Sequence, residues 1–218
     1  MPFAARHHTD PVPTLTPIAG LEVRREQCAT AMAALQQRAE DDMQRRLDAG
    51  HRAYVAYLNG EPAAFGWVAT RSAEIGELRS TFAIPSGERY LWNFVTLAPY
   101  RGLGIYPRLV EAIVRAELRE AERFWIAYAP ENHASGSGVR KAGFTDLAEM
   151  SFDAEGRPAL RSIVAGGAGV VSRLIGLPET QDVLTPCWRC VRAGRGVMYC
   201  APGECQCDYQ VPHSGCAA

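Results

Sequence analysis

One stretch near the middle of the chain constrains its fold most narrowly, because an apolar run leads through two glycines into a helical pattern. Residues 90–97 (YLWNFVTL) are almost continuously apolar, as expected for a strand buried on both faces. Pro99 marks the end of this strand, and Gly102 and Gly104 permit a tight turn with no β-carbon in the way of a ligand. From Ile105 onward, apolar residues recur at helical spacing. The pattern therefore predicts a strand, a glycine turn and a helix N-terminus.

The start of such a helix is suited to binding an anion. Its first backbone N–H groups have no partner within the helix, and the helix dipole places positive potential at the same end. A glycine turn brings these groups close to a ligand, and a pyrophosphate suits the arrangement best. Arg101 stands directly before the turn. We expect its guanidinium to contact a phosphate, since the two groups form strong, charge-assisted hydrogen bonds.

Two blocks of sequence resemble a known family. Residues 101–106 (RGLGIY) are similar to the acyl-CoA-binding motif of the GNAT superfamily of N-acyltransferases, Arg/Gln-x-x-Gly-x-Gly/Ala, with Tyr106 in place of the final small residue. Further along, residues 124–129 (FWIAYA) predict a strand. Residues 132–135 (NHAS) and 140–144 (RKAGF) are similar to the family's Asn-x-x-Ala/Ser and Lys-x-Gly-Phe segments. The blocks occur in the order and at the spacing that the family shows.

The resemblance extends over about residues 20–152 and implies an α/β (α+β) fold. In the family, a mixed, mostly antiparallel central sheet is flanked by helices and contains a central βαβ unit. We expect residues 1–20 to form a flexible N-terminal arm, because chain ends are usually poorly ordered unless they are tied down. The acyltransferase domain is then expected at residues 21–178, followed by a small cysteine-rich tail at residues 179–218.

Local patterns add detail within this domain. Residues 28–47 predict one helix or two, and Asn59-Gly60 between apolar runs predicts a β-hairpin. Residues 71–88 are polar and mixed, and we expect a loop or irregular segment there. Residues 170–177 fit either a closing strand or a short helix. Residues 177–180 resemble a linker.

The resemblance implies direct transfer of an acyl group, with acetyl expected, from acyl-CoA to a primary amine of a small molecule or peptide. Acetyl-CoA or another acyl-CoA is then a co-substrate. In the family, backbone groups of the strand before the turn hold the pantetheine arm. By position, the resemblance assigns CoA binding to Val95, Thr96, Leu97, Arg101, Gly102, Leu103, Gly104, Ile105, Tyr106, Asn132 and Ser135.

The chemistry needs a base for the amine proton and an acid for the departing CoA thiolate. Many family members place a tyrosine seven residues after the asparagine of the second block, where this chain has Val139, so Tyr106 or Tyr128 is a candidate substitute. Glu88 is a candidate base, and Asn93 is a candidate for orienting the amine or a water. Each also has a structural interpretation, as a packed aromatic, a loop carboxylate or a hydrogen-bonded amide. The catalytic candidates selected are Asn93, Glu88 and Tyr128.

Six of the seven cysteines lie between residues 187 and 216. In a reducing compartment, such a cluster binds metal more often than it forms disulfides. One zinc bound by the Cys-x-x-Cys pair and two later thiols is the first interpretation. An iron–sulfur cluster is the second, and a tail without metal is the third. The ligands are expected among Cys187, Cys190, Cys200, Cys205, Cys207 and Cys216.

Charge and hydropathy narrow the partners. The formal net charge of −1 gives no overall field to attract nucleic acid or an anionic membrane. No apolar stretch approaches the roughly 20 residues of a membrane helix, and no secretory signal is visible. We therefore expect a cytoplasmic protein that acts on a small-molecule or peptide amine, with a homodimer left open. Arg45, Arg46 and Arg52 are expected on a solvated face.

A second interpretation of the chain also stands. Because no clear catalytic base is present, the scaffold fits a non-catalytic module that binds acyl-CoA or senses metal or redox state through the cysteines.

Overall fold

The computed structural model describes residues 1–76, 80–153, 155 and 157–181. Within them the chain forms ten strands and five α-helices. The strands are β1 Pro2–His7, β2 Leu21–Glu26, β3 Arg52–Leu58, β4 Glu61–Ala69, β5 Ser72–Ile75, β6 Ser80–Ala83, β7 Glu88–Thr96, β8 Arg123–Ala127, β9 Thr145–Phe152 and β10 Pro158–Ser162. The helices are α1 Ala29–Gln36, α2 Glu40–Asp48, α3 Ile105–Glu117, α4 His133–Lys141 and α5 Gly167–Ile175.

Eight of the strands form one sheet, in the order β10-β9-β1-β8-β7-β4-β3-β2. All neighbouring pairs are antiparallel except β7 and β8, which run parallel and are joined by α3. A parallel pair needs such a crossover, because a short turn cannot reverse the chain twice. The mixed, mostly antiparallel sheet with a central βαβ unit is thus confirmed.

The expected flexible N-terminal arm is wrong, because the first residues form a strand inside the sheet. β1 lies between β8 and β9, and Phe3 and Ala4 are fully buried in the two opposite faces of the core. The short apolar run after Pro2 supplies this strand, and proline is tolerated at its first position. Residues 8–20 then cross the surface, where Arg108 Nε of α3 donates to the Thr16 carbonyl at 2.7 Å. Residues 2–7 are therefore part of the folded domain.

Four local expectations can also be compared with the structure. The segment expected to be irregular contains the hairpin of β5 and β6, whose Phe82 packs into the core. The helix-rich segment is divided into α1 and α2, and residues 167–175 form a helix. The expected linker pairs with β10, since the Thr180 N–H donates to the Leu160 carbonyl at 2.9 Å. No helix among the described residues is long and apolar enough to cross a membrane.

The helices divide between the two faces of the sheet. α3 buries Ile105, Leu109 and Ile113 completely against one face, where α4 joins it. The other face is covered by α1 and α2 over β3, β4 and β7, and by α5 near β9 and β10. Burial of each large apolar side chain contributes about 1.5–3 kcal/mol, so both faces stabilise the sheet. β7 therefore contributes side chains to the packing on both faces of the sheet.

Candidate functional site

The parallel strands β7 and β8 separate at their C-terminal ends. Their pairing runs from Glu88 to Leu91, while β7 itself continues to Thr96. A β-bulge lies just beyond this point, since the pairing of β7 with β4 shifts register near Asn93, whose φ of 51° is left-handed. Bulges increase the local twist of a strand and bend it. The last residues of β7 therefore present a backbone edge that β8 does not cover.

The glycine turn after β7 has the predicted geometry. Gly102 and Gly104 have φ angles of 79° and 72°, a conformation that costs other residues energy. Gly104 is the N-cap of α3, and a β-carbon there would lie 2.8 Å from Arg108 Nη1. α3 begins at Ile105, as the sequence predicted. Its first N–H groups are thus presented beside the end of β7.

A second helix begins close to the first. Asn132 is the N-cap of α4, and its Oδ1 accepts a hydrogen bond from the Ser135 N–H at 2.9 Å. An asparagine at this position satisfies one N–H of the first turn and leaves others exposed. The N-termini of α3 and α4 therefore border the same space, and both dipoles favour an anion in it.

That space is a cavity of about 350 Å³. Of the residues predicted to bind CoA, eight line it: Thr96, Arg101, Gly102, Gly104, Ile105, Tyr106, Asn132 and Ser135. Three others, Val95, Leu97 and Leu103, do not line it. Residues that sequence analysis did not select complete the wall: Phe94, Tyr100, Pro107, Ala134, Ser137, Gly138 and Lys141. The cavity therefore brings together the two sequence blocks on which the resemblance rests.

Two cationic side chains stand in the wall of this cavity. Arg101 Nε donates to the Thr96 carbonyl at 3.1 Å, which holds the guanidinium beside the glycine turn. Lys141 lies at the last position of α4. Neither residue forms an ion pair within the part of the chain that the structure describes. Both charges are consequently free to balance phosphate groups.

Tyr106 places a phenol in the same cavity. Its hydroxyl lies 3.2 Å from Ser135 Oγ, and its ring stands edge-on to Phe94 with 5.4 Å between centroids. The ring passes α4 at Gly138, where a β-carbon would lie 2.3 Å from it. Burial raises the pKa of Tyr106 to about 12, although the bond to Ser135 opposes the shift. The phenol is therefore protonated at neutral pH and can donate a proton.

Tyr128, a catalytic candidate, lies elsewhere. Its hydroxyl donates to Asp146 Oδ1 at 2.8 Å and accepts a hydrogen bond from Arg140 Nη1 at 3.0 Å. Its ring packs against Gly136 on α4, and it does not line the cavity. Burial, followed by the bond to Asp146, raises the pKa of Tyr128 to about 12. These contacts join α4 to β9 and suit a structural role.

Glu88, the second catalytic candidate, stands at the opposite end of β7. It precedes Thr96 by eight residues, which is roughly 26 Å along a strand. Its Oε2 accepts a hydrogen bond from Trp125 Nε1 at 2.5 Å, and its Oε1 lies 3.6 Å from Arg123 Nη1. The structure therefore does not bring Glu88 to the cavity.

Asn93, the third candidate, lies where β7 leaves β8. Its Nδ2 donates to Gln36 Oε1 of α1 at 3.1 Å, and the same oxygen accepts a weaker bond from Arg46 Nη1 at 3.4 Å. The side chain thus points to the α1–α2 face, whereas Phe94 and Thr96 line the cavity on the α3–α4 face. Asn93 therefore lies where β7 passes between the cavity and the α1–α2 layer, and its predicted role stays a prediction.

The sequence led us to expect Arg46 on a solvated face, and this expectation is wrong. Arg46 is half-buried, with its guanidinium carbon 5.3 Å from the centre of the Trp67 ring and 4.8 Å from that of Trp92. The expectation is also wrong for Arg52, which pairs with the buried Glu117 at 2.6 Å. It holds for Arg45, which is exposed. The burial of Arg46 has one trace in the sequence: it stands three residues after the apolar Met43, so both side chains lie on the same face of the helix. Met43 is buried in the structure.

The cysteine ligands cannot be followed in the structure. Cys187, Cys190, Cys200, Cys205, Cys207 and Cys216 all lie outside the described residues. The zinc or iron–sulfur centre therefore stays a prediction from the sequence. Cys28, the seventh cysteine, is exposed and free at the start of α1.

Solved structures that resemble this chain include acetyltransferases. They include a GCN5-related N-acetyltransferase from Kribbella flavida (17% identity, 66% of this chain and 53% of that chain, TM-score 0.46). Another is an acetyltransferase of the GNAT family from Streptococcus pneumoniae (16% identity, 60% of this chain and 89% of that chain, TM-score 0.45). A third is the aminoglycoside N-acetyltransferase AAC(6')-Iy in complex with CoA (18% identity, 64% of this chain and 97% of that chain, TM-score 0.48). The matched part of this chain thus spans about half of the Kribbella protein.

The family is established from the sequence. No curated protein matches the chain. The model of the acetyltransferase (GNAT) family, however, matches residues 21–144, which is more than half of the chain and includes both sequence blocks. This match confirms the resemblance: the chain belongs to the GNAT family of acetyltransferases.

Proposed function

We propose that this protein transfers an acetyl group from acetyl-CoA to a primary amine of a small molecule or peptide, by direct attack of the amine on the thioester. The observation that supports this most strongly is the cavity at the N-termini of α3 and α4, next to the uncovered edge of β7. A pyrophosphate and an amide-containing arm are the two chemical features that such a site accommodates together.

Each part of the cavity has a role in this proposal. The pyrophosphate lies against the N–H groups after Gly104, with Arg101 and Lys141 balancing its charge. The pantetheine arm runs along residues 95–97 of β7 and adds to the sheet edge as an extended peptide would. The thioester then lies near Asn93, where β7 and β8 separate.

The reaction forms one bond and breaks another. The lone pair of the neutral amine attacks the thioester carbonyl, an N–C bond forms, and the C–S bond breaks. The amine loses one proton, and the CoA thiolate gains one. The products are an amide and free CoA. Because the attack uses the lone pair of the amine nitrogen, only the unprotonated amine reacts.

We assign the acid to Tyr106. Its hydroxyl borders the cavity, and its pKa of about 12 keeps the proton on the phenol until the thiolate develops. The position where many family members have a tyrosine contains Val139, which is fully buried. Tyr106 approaches the same helix from α3 and passes it at Gly138. The missing tyrosine is thereby replaced from the neighbouring helix.

Removal of the amine proton requires a different group. Among the described residues, those lining the cavity include no carboxylate and no histidine. We therefore propose that the proton leaves through water, which the amide of Asn93 orients on the far side of β7. Loss of this amide is expected to lower the rate less than loss of a direct base.

Release of free CoA thiol from acetyl-CoA, measured with and without a panel of primary amines, tests the proposal. Thiol release that depends on an amine, with the acetylated amine identified by mass spectrometry, supports it. If the protein binds acetyl-CoA tightly but releases no free CoA thiol with any of the amines, the proposal is overturned and the non-catalytic module is favoured.

A further inference from the structure

The layer of side chains between α1–α2 and the sheet contains several hydrogen-bonding groups without partners among the described residues. Among the described residues, four buried side-chain nitrogen atoms have no hydrogen-bond partner. Three of them, His51 Nδ1, Trp67 Nε1 and Trp92 Nε1, lie together: the ring centroids of Trp67 and Trp92 are 6.2 Å apart, and those of His51 and Trp92 are 5.3 Å apart. An indole N–H is only a donor, so it needs an acceptor. A buried donor without an acceptor destabilises the folded protein.

A positive charge without a counterion lies in the same cluster. Arg46 covers Trp67 and Trp92, and within the described part of the chain no carboxylate forms an ion pair with it. The nearby Asp42 pairs instead with Arg45. Burial, and then the charge of Arg38, lower the pKa of Arg46. Stacking on tryptophan stabilises the cation only in part, so the site favours an anion.

This cluster lies next to the proposed reaction centre. Gln36 Oε1 accepts hydrogen bonds from both Arg46 and Asn93, and Asn93 is the bulge residue where β7 leaves β8. Trp92 precedes Asn93 on β7 and points to the α1–α2 face, whereas Phe94 lines the CoA cavity on the other face. A molecule bound among these side chains is therefore placed opposite acyl-CoA, across β7.

We propose that the acceptor amine of this enzyme also contains a carboxylate, which binds to the guanidinium of Arg46 and to the indole N–H groups of Trp67 and Trp92. A planar carboxylate suits a guanidinium and accepts several hydrogen bonds at once. Amino acids and peptides with a free C-terminus share this chemistry. A polycationic amine is disfavoured, because Arg38, Arg45 and Arg46 repel it. This inference rests on the proposed acetyl transfer and specifies its acceptor class.

Paired acceptors test the proposal through turnover. Phenylalanine and the peptide Gly-Phe are compared with their C-terminal amides, and kanamycin serves as the polycation. We expect kcat/KM at least about 10-fold higher for the acids than for the amides, with kanamycin unused. Arg46→Gln removes the preference through the KM of the acceptor and leaves the KM of acetyl-CoA unchanged. Arg45→Gln, the matched control with the same charge change on the exposed side of α2, retains it.

Two sets of results overturn the proposal: equal use of acids and amides by the unaltered protein, or an unchanged preference in a folded Arg46→Gln variant. A preference for the peptide over phenylalanine, or the reverse, distinguishes the two sources of the carboxylate.

A binding measurement decides the question when no acceptor is turned over. Phenylacetate is expected to change the tryptophan fluorescence of the unaltered protein saturably, phenylacetamide is not, and Arg46→Gln abolishes the change. Absence of a saturable change with phenylacetate overturns the carboxylate site. Absence of acetyl-CoA binding and of thiol release contradicts the proposed function instead, so the two failures are distinguishable.

Discussion

The ring of Tyr106 occupies the place that a β-carbon on Gly138 would need, since such a carbon would lie 2.3 Å from Tyr106 Cδ1. We therefore expect Gly138→Ala to displace the phenol and lower kcat, although alanine is the better helix former by about 1 kcal/mol. Steady-state thiol release measures the effect. Gly136→Ala is the control, because it displaces Tyr128, which lies outside the cavity. Equal kinetics for both variants would contradict the placement of the acid.

The assignment of the proton donor gives a second prediction. Tyr106→Phe is expected to lower kcat by about 100-fold, as is typical for loss of general acid catalysis, with little change in the KM of acetyl-CoA. Tyr128→Phe is the matched control, because its hydroxyl bonds to Asp146 outside the cavity. The same assay measures both. If only Tyr128→Phe reduces kcat, the sequence candidate is the acid and our assignment is wrong.

The buried Glu117 gives a prediction about stability. Burial alone raises the pKa of a carboxyl, but hydrogen bonds from Tyr54 and Arg52, each at 2.6 Å, and from Arg89 at 2.9 Å outweigh it and lower the pKa of Glu117. Its carboxylate thus contributes stability above the unfolded-state pKa of about 4.3, and this contribution disappears as the pH falls through the lower folded-state pKa.

We expect Glu117→Gln to reduce the free energy of unfolding by about 3 kcal/mol at pH 7, because it leaves two arginines without their buried partner. The difference from the unaltered protein should shrink as the pH falls below about 4. Urea unfolding at a series of pH values measures both. Glu120→Gln, an exposed partner of the same arginines, should cost much less. A difference that stays constant with pH would mean that the carboxylate charge does not matter.

The local motifs predicted the central part of this fold well, because they act through the backbone. The turn and α3 depend on local signals, namely the glycines at 102 and 104 and the apolar periodicity after Ile105, which can be recognised without knowledge of the tertiary contacts. β1 was missed for the opposite reason. Its short apolar run has no turn signal of its own, and only pairing with β8 and β9 stabilises it. The same holds for β5 and β6, since a two-stranded hairpin depends on the core beneath it.

The candidate site likewise contains a part with local sequence signals and a part that only tertiary contacts create. The cavity at the start of α3 follows from two contiguous blocks, and eight of its lining residues could be named in advance as candidates for CoA binding. The cluster of Arg46, Trp67, Trp92 and His51 could not be named in advance. These residues come from α2, β4, β7 and the turn before β3, and only the tertiary fold brings them together. Tyr106 was ambiguous for a related reason. Its role depends on the space at Gly138, which lies 32 residues later in the chain.

Calorimetric titration of acetyl-CoA into the protein and its Gly104→Glu variant tests the central claim most directly. The φ of 72° disfavours any side chain at Gly104, and a carboxylate there repels the phosphates at the start of α3. We predict stoichiometric binding to the unaltered protein and affinity weaker by on the order of 100-fold in the variant. Gly60→Glu, with the same charge and a φ of 87° in the turn between β3 and β4, should bind normally. No binding to the unaltered protein, or equal binding to Gly104→Glu, would contradict the account.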